Sequence, residues 1–109
     1  MSNYISGRNA EYAIKRMLQA RGYAHVIRSA GSHTPVDLLA ADGKRVLAIQ
    51  VKRGRYISKE EQEMLKDWAA AFGAKPVLAK KKDGRWVLLD LADQKPVLED
   101  VGKHEHRGD

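Results

Sequence analysis

With 109 residues the chain can bury one compact core and is too short for two. Its 43% hydrophobic and 31% charged residues exclude a disordered polymer. The absence of cysteine excludes disulfides, thiolate zinc sites and cysteine nucleophiles, so any metal must sit on oxygen or imidazole.

No apolar run approaches the roughly 20 residues of a membrane span, and residues 1–7 lack the apolar centre of a signal peptide, which leads to the expectation of a cytoplasmic protein. The net charge is +6. Glu99, Asp100, Glu105 and Asp109 outnumber Lys103 and Arg107 in the last stretch, so the chain before them is more basic still. Such a surplus attracts a polyanion, and nucleic acid is the expected partner over a merely solvated basic face.

From Arg8 to Arg21, Ala10, Ala13, Ile14, Met17 and Leu18 recur at helical spacing, and Gly22 stands where a left-handed cap would be. Glu11 borders this apolar stripe, a placement suited to a ligand. Residues 23–28 read as a strand, 29–35 as a loop, and 36–41 as a second strand. Asp42-Gly43 predicts a hairpin whose return strand runs from Lys44 to about Lys52. Ser58-Lys59-Glu60-Glu61 has the form of a capping box, followed by Met64, Leu65, Trp68, Ala69 and Phe72 at helical spacing. Residues 76–81 and 85–90 form another strand pair about Asp83-Gly84. Beyond Leu91 the pattern fades, so residues 1–91 are expected to be the domain and 92–109 a flexible polar tail. The order, helix, three strands, helix, two strands, predicts an α/β domain with a mixed β-sheet flanked by helices.

If Asp42-Gly43 is a two-residue loop, Asp37 lies opposite Ala48 and shares a face with Gln50 and Lys52, while Leu47, Ile49 and Val51 point the other way. Diagonal neighbours have alpha carbons roughly 7 to 8 Å apart, so Asp37 and Gln50 could both give oxygen to one hard cation, with Lys52 just beyond. A divalent ion there would polarise a phosphodiester and acidify a water. The competing reading is structural: Asp37 caps a strand, Gln50 is satisfied, and Lys52 extends over apolar neighbours to solvent. Spacing alone leaves both open.

Trp68 and Phe72, one turn apart, suit either the core or a dimer interface. Lys80, Lys81, Lys82 and Arg85, and separately Lys52, Arg53, Arg55 and Lys59, are candidate phosphate-contact clusters, although a hairpin tip is often basic simply because it is solvated. His104-Glu105-His106 has the wrong spacing for a zinc HExxH site. His25 and His33 have no visible partners for a catalytic triad, and His33 is read as a DNA contact.

The segments Gly7…Ala10-Glu11, Gly22-Tyr23-Ala24, Arg28-Ser29-Ala30-Gly31-Ser32, Val36-Asp37-Leu38, Ala48-Ile49-Gln50-Val51-Lys52, Phe72-Gly73-Ala74 and Pro76-Val77-Leu78-Ala79 together resemble the archaeal Holliday junction resolvases and their viral relatives. These belong to the PD-(D/E)XK nuclease superfamily, whose core is restriction-endonuclease-like. The resemblance covers about Gly7 to Leu91. It implies a metal site from Glu11, Asp37, Gln50 and the Val51 carbonyl, holding Mg2+ with Mn2+ able to substitute, and Lys52 beside the nucleophilic water. It also implies that Arg28 contacts phosphate, that Ser32 assists at the scissile bond, and that a homodimer places paired nicks with 5′-phosphate and 3′-hydroxyl ends in a four-way junction.

Three positions depart from that family's pattern. Gln50 stands where most members carry glutamate, Tyr12 replaces a basic residue after Glu11, and Ser6 replaces one before Gly7. A helix-borne phosphate contact would then fall to Arg8, Lys15 or Arg16. Alternatives to a resolvase are a non-catalytic branched-DNA-binding module with a decayed metal site, and a repair or restriction-type nuclease of the same fold.

Overall fold

The computed structural model describes residues 3–29, 34–52 and 57–99, and for residues 3–8 and 99 the backbone alone. Its order is α1 (Asn3–Ala20), β1 (His25–Arg28), β2 (Leu38–Ala41), β3 (Val46–Lys52), α2 (Lys59–Ala71), β4 (Lys75–Lys82), β5 (Arg85–Asp90) and β6 (Lys95–Glu99). The six strands form one sheet in sequential order. Only β3 and β4, joined through α2, run parallel; every other neighbouring pair is antiparallel. This is the mixed α/β architecture that the element order predicts.

The two helices pack on opposite faces of the sheet. Ala10, Ile14 and Leu18 of α1 close a core with Val26, Leu38, Ala40, Leu47, Ile49, Val77, Ala79 and Leu88. Leu65 and Ala69 of α2 close a second with Val36, Ala48, Ile57 and Leu78. Along β3 the alternation is therefore as expected, with Leu47 and Ile49 toward α1 and Ala48 toward α2.

The helix ends follow from local chemistry. At α1, Gly22 has φ +101, while the Tyr23 amide donates to the Leu18 carbonyl and the Gly22 amide to that of Gln19, the paired bonds of a Schellman cap. At α2, Ser58 Oγ accepts from the Glu61 amide and a Glu61 carboxylate oxygen accepts from the Ser58 amide, so the capping box is complete. Helix α1 starts earlier than the expected Arg8, because its first turns carry no periodic apolar stripe to announce them.

Two expectations are corrected. The β2–β3 turn is centred on Gly43-Lys44 rather than Asp42-Gly43, so Leu38 pairs with Ile49 and Ala41 with Val46. The cause is Asp42, whose Oδ1 accepts from the amides of Lys44 at 2.9 Å and Arg45 at 2.7 Å, which fixes it as the residue before the turn. Because the register moves by two residues, the faces are preserved.

The sheet also continues past Leu91 into β6. Asp90 builds the connection: its Oδ1 accepts from the Ala92 amide and its carbonyl from the Gln94 amide. Val97 and Leu98 then pack on the α1-side core. Pro96 is accommodated because β6 is an edge strand, which tolerates proline. The β4–β5 turn matches expectation, with Asp83 and Gly84 both at positive φ (54 and 79) between the paired Lys82 and Arg85.

Candidate active site

The chemistry-bearing side chains gather where β2 begins and β3 ends. The Asp37 amide donates to the Ile49 carbonyl at 2.8 Å, anchoring the start of β2 against β3. In return Asp37 Oδ2 accepts from the Val51 amide, also at 2.8 Å. One residue thus holds both strands, and it brings its carboxylate to the Gln50-Val51-Lys52 segment.

Burial is the main force on Asp37, and it pushes the carboxyl up to about 6 from an ordinary 3.8. The Val51 hydrogen bond opposes the rise, the negative charge of Glu11 adds to it, and Lys52 opposes it. Glu11 of α1 and Lys52 of β3 therefore both act electrostatically on Asp37, which unites three of the expected site residues around one carboxylate.

Gln50 Oε1 is buried without a hydrogen-bond partner. A buried carbonyl oxygen left bare is costly, and its place next to the Asp37–Val51 contact suits a ligand for a hard cation. Among the described residues no three histidines, aspartates, glutamates or cysteines cluster as a ready metal cage. Two carboxylates and an amide oxygen are the hard oxygen donors that divalent ions take, with one negative charge fewer than three carboxylates would supply.

Arg28 lies across this group from β1. Its Nη1 donates to Glu11 Oε1 at 3.2 Å, and its guanidinium stands 5.5 Å from the centre of the Tyr12 ring. Tyr12, which departs from the basic residue expected there, thus supplies a stacking surface for an arginine.

Lys52 Nζ donates to Glu61 Oε2 at 3.1 Å. In the sequence Glu61 reads only as a capping residue, and this bond is not visible there. The signal that was present is that capping occupies one carboxylate oxygen and leaves the other free. The Ser58 amide and then Lys52 hold the Glu61 carboxyl below the usual range.

Trp68 and Phe72 have ring centres 6.5 Å apart and, with Ile27, Leu39 and Asp37, line a largely apolar cleft of about 200 Å³ between α2 and the β1–β2 edge. Ile27 and Phe72 are 65% and 51% exposed, whereas Trp68 is half-buried against the α2-side core. Ser32, His33, Arg53 and Arg55 lie outside the described residues, as does the side chain of Arg8.

The profile of the family described as archaeal Holliday junction resolvase (Hjc) matches residues 2–100. The chain belongs to that family. It is 40% identical over 91 residues to the crossover junction endodeoxyribonuclease Hjc of Methanocaldococcus jannaschii, covering 80% of this chain and 67% of the relative. It is also similar to the structure of Hjc from Archaeoglobus fulgidus, a Holliday junction resolvase of an archaeal hyperthermophile, with a TM-score of 0.66 and 33% identity over 75% of this chain and 74% of that one. This Hjc-family chain thus carries a nuclease fold, and the strand ends that hold Asp37, Gln50 and Lys52 lie within the matched region. Among its described residues no helix is long and apolar enough to cross a membrane.

Proposed function

We propose that this chain is a structure-specific endonuclease that resolves four-way DNA junctions by metal-dependent phosphodiester hydrolysis. As a homodimer it nicks two opposed strands and leaves 5′-phosphate and 3′-hydroxyl ends. The observation that carries the reading is the Asp37–Val51 contact, which brings a half-buried carboxylate beside an unpartnered Gln50 oxygen and the Lys52 ammonium.

Glu11, Asp37, Gln50 Oε1 and the Val51 carbonyl would hold Mg2+, with Mn2+ able to substitute. When bound, the ion supplies charge neutralisation at the phosphate and a water of lowered pKa. Lys52 orients or stabilises the attacking water from the end of β3. Ser32 assists at the scissile bond. Arg28 and Arg8 contact phosphate, as do His33, Arg53 and Arg55, and this backbone contact selects DNA shape rather than base sequence. The exposed apolar side chains Ile27 and Phe72, beside the half-buried Trp68, support a two-fold dimer that sets a second site on the opposing strand.

The amide at position 50, and the absence among the described residues of three clustered His, Cys, Asp or Glu side chains, favour one other reading, a junction-binding module without catalysis. One gel separates them: end-labelled four-way junction and matched linear duplex, each with protein and magnesium, manganese or chelator, beside Asp37→Ala. Metal-dependent paired nicks in the junction, lost in the variant, support the resolvase. Binding without cutting supports the module, and preferential cutting of linear duplex points to a restriction or repair activity.

A further inference from the structure

Lys52 ends β3, and a lysine there has four rotatable side-chain bonds and no intrinsic preference for one direction. Its ammonium is nevertheless engaged, donating to Glu61 Oε2 at 3.1 Å. The other oxygen of the same carboxylate accepts from the Ser58 amide at 3.0 Å, and Ser58 Oγ in turn accepts from the Glu61 amide at 3.1 Å. Glu61 is thus held at one oxygen by a backbone amide before it meets the lysine, and it sits on a helix whose Leu65 and Ala69 are fully buried against the sheet. We propose that Glu61 is a positioning residue for the nuclease reaction, using the first turn of α2 as a rigid post that holds the Lys52 ammonium at the catalytic end of β3. This rests on the role assigned to Lys52 above.

A stability role does not account for the pair. Glu61 is partly exposed, and a solvated ion pair of this kind adds little to folding. Its value lies in restricting the lysine, since misplacing a group that acts on the attacking water lowers the rate without weakening substrate binding. The bond also joins β3 to α2, so the lysine is held to a helix packed on the sheet.

Two substitutions separate the functions of the capping box. In Glu61→Gln the single amide oxygen can still accept from the Ser58 amide, which turns the NH2 group toward Lys52 and removes its acceptor. Ser58→Ala weakens the cap and leaves the Lys52–Glu61 bond in place. With wild type and both variants, the measurements are single-turnover junction cleavage in magnesium, junction affinity in chelator, melting temperature, and the 1H–15N NMR signal of the Lys52 ammonium, assigned through Lys52→Arg, in metal-free protein.

Glu61→Gln should cut about ten-fold more slowly, with unchanged junction affinity, a near-wild-type melting temperature and a shifted or broadened Lys52 signal. Ser58→Ala should melt lower but keep both the cleavage rate and the Lys52 signal. A Glu61→Gln rate equal to or above wild type, or a Lys52 signal that Glu61→Gln leaves unmoved, overturns the proposal. If wild type itself does not cut, the nuclease reading fails, and the NMR comparison still tells whether Glu61 holds the lysine.

Discussion

Asp37 accepts a 2.8 Å hydrogen bond from the Val51 amide while burial and Glu11 raise its pKa to about 6. Folding therefore costs free energy to keep this carboxylate ionised, and the protein retains it at the mouth of an apolar cleft where a neutral residue would be more stable. The site is organised at the expense of stability, as functional carboxylates commonly are.

The sign of the pH dependence follows. A carboxyl with a folded pKa near 6 against 3.8 contributes stability that is full below 3.8 and is lost as pH rises through 6. In chelator, wild type should lose on the order of 2 kcal/mol relative to Asp37→Asn between pH 4 and 7, after allowance for partial solvent screening. The asparagine oxygen can still accept from Val51. Urea unfolding of both proteins at the two pH values checks this, and parallel pH profiles would refute it.

Gln50→Glu should restore a third carboxylate. Metal-free protein is expected to melt lower, because a new negative charge joins Asp37 and Glu11. Magnesium and manganese should bind roughly ten-fold tighter, an approximate gain of 1.4 kcal/mol. Calorimetric titration with each ion, read beside the metal-induced shift in melting temperature, gives the answer. Equal affinity in the two proteins would remove Gln50 from the ligand set.

Arg28→Gln should weaken junction binding about equally for all sequences and reduce the slope of log affinity against log salt by about one, as expected for one lost phosphate contact. Fluorescence anisotropy over a salt series measures it. An unchanged slope would mean that Arg28 serves only to hold Glu11, to which it is bonded.

Phe72→Glu replaces a ring that is 51% exposed with a charge, so the fold should survive with little change in melting temperature while the proposed homodimer dissociates. Light scattering during gel filtration reads the mass directly. A dimer that persists would move the interface away from the α2 cleft, and a protein that unfolds would show that the ring belongs to the core.

How much was legible in the sequence differs from residue to residue. Ser58 and Glu61, Gly22, and Asp83-Gly84 specify caps and a turn through chemistry confined to a few neighbouring residues, so they could be read correctly without the fold. The α/β class, the faces of β3 and the candidacy of Glu11, Asp37, Gln50 and Lys52 followed from periodicity and from resemblance to the family. Asp42-Gly43 was ambiguous, since Asp-Gly can occupy the turn or precede it, and the Asp42 carboxylate selected the second. The strand β6 depends on packing against a finished sheet and on the Asp90 turn, neither of which a local pattern containing Pro96 reveals. The rise of the Asp37 pKa, the unpartnered Gln50 oxygen, the Arg28–Glu11 pair and the Lys52–Glu61 bond were decided by tertiary structure alone. Each requires side chains from separate elements to meet at one end of the sheet, and burial and charge there are properties of the assembled site rather than of any one segment.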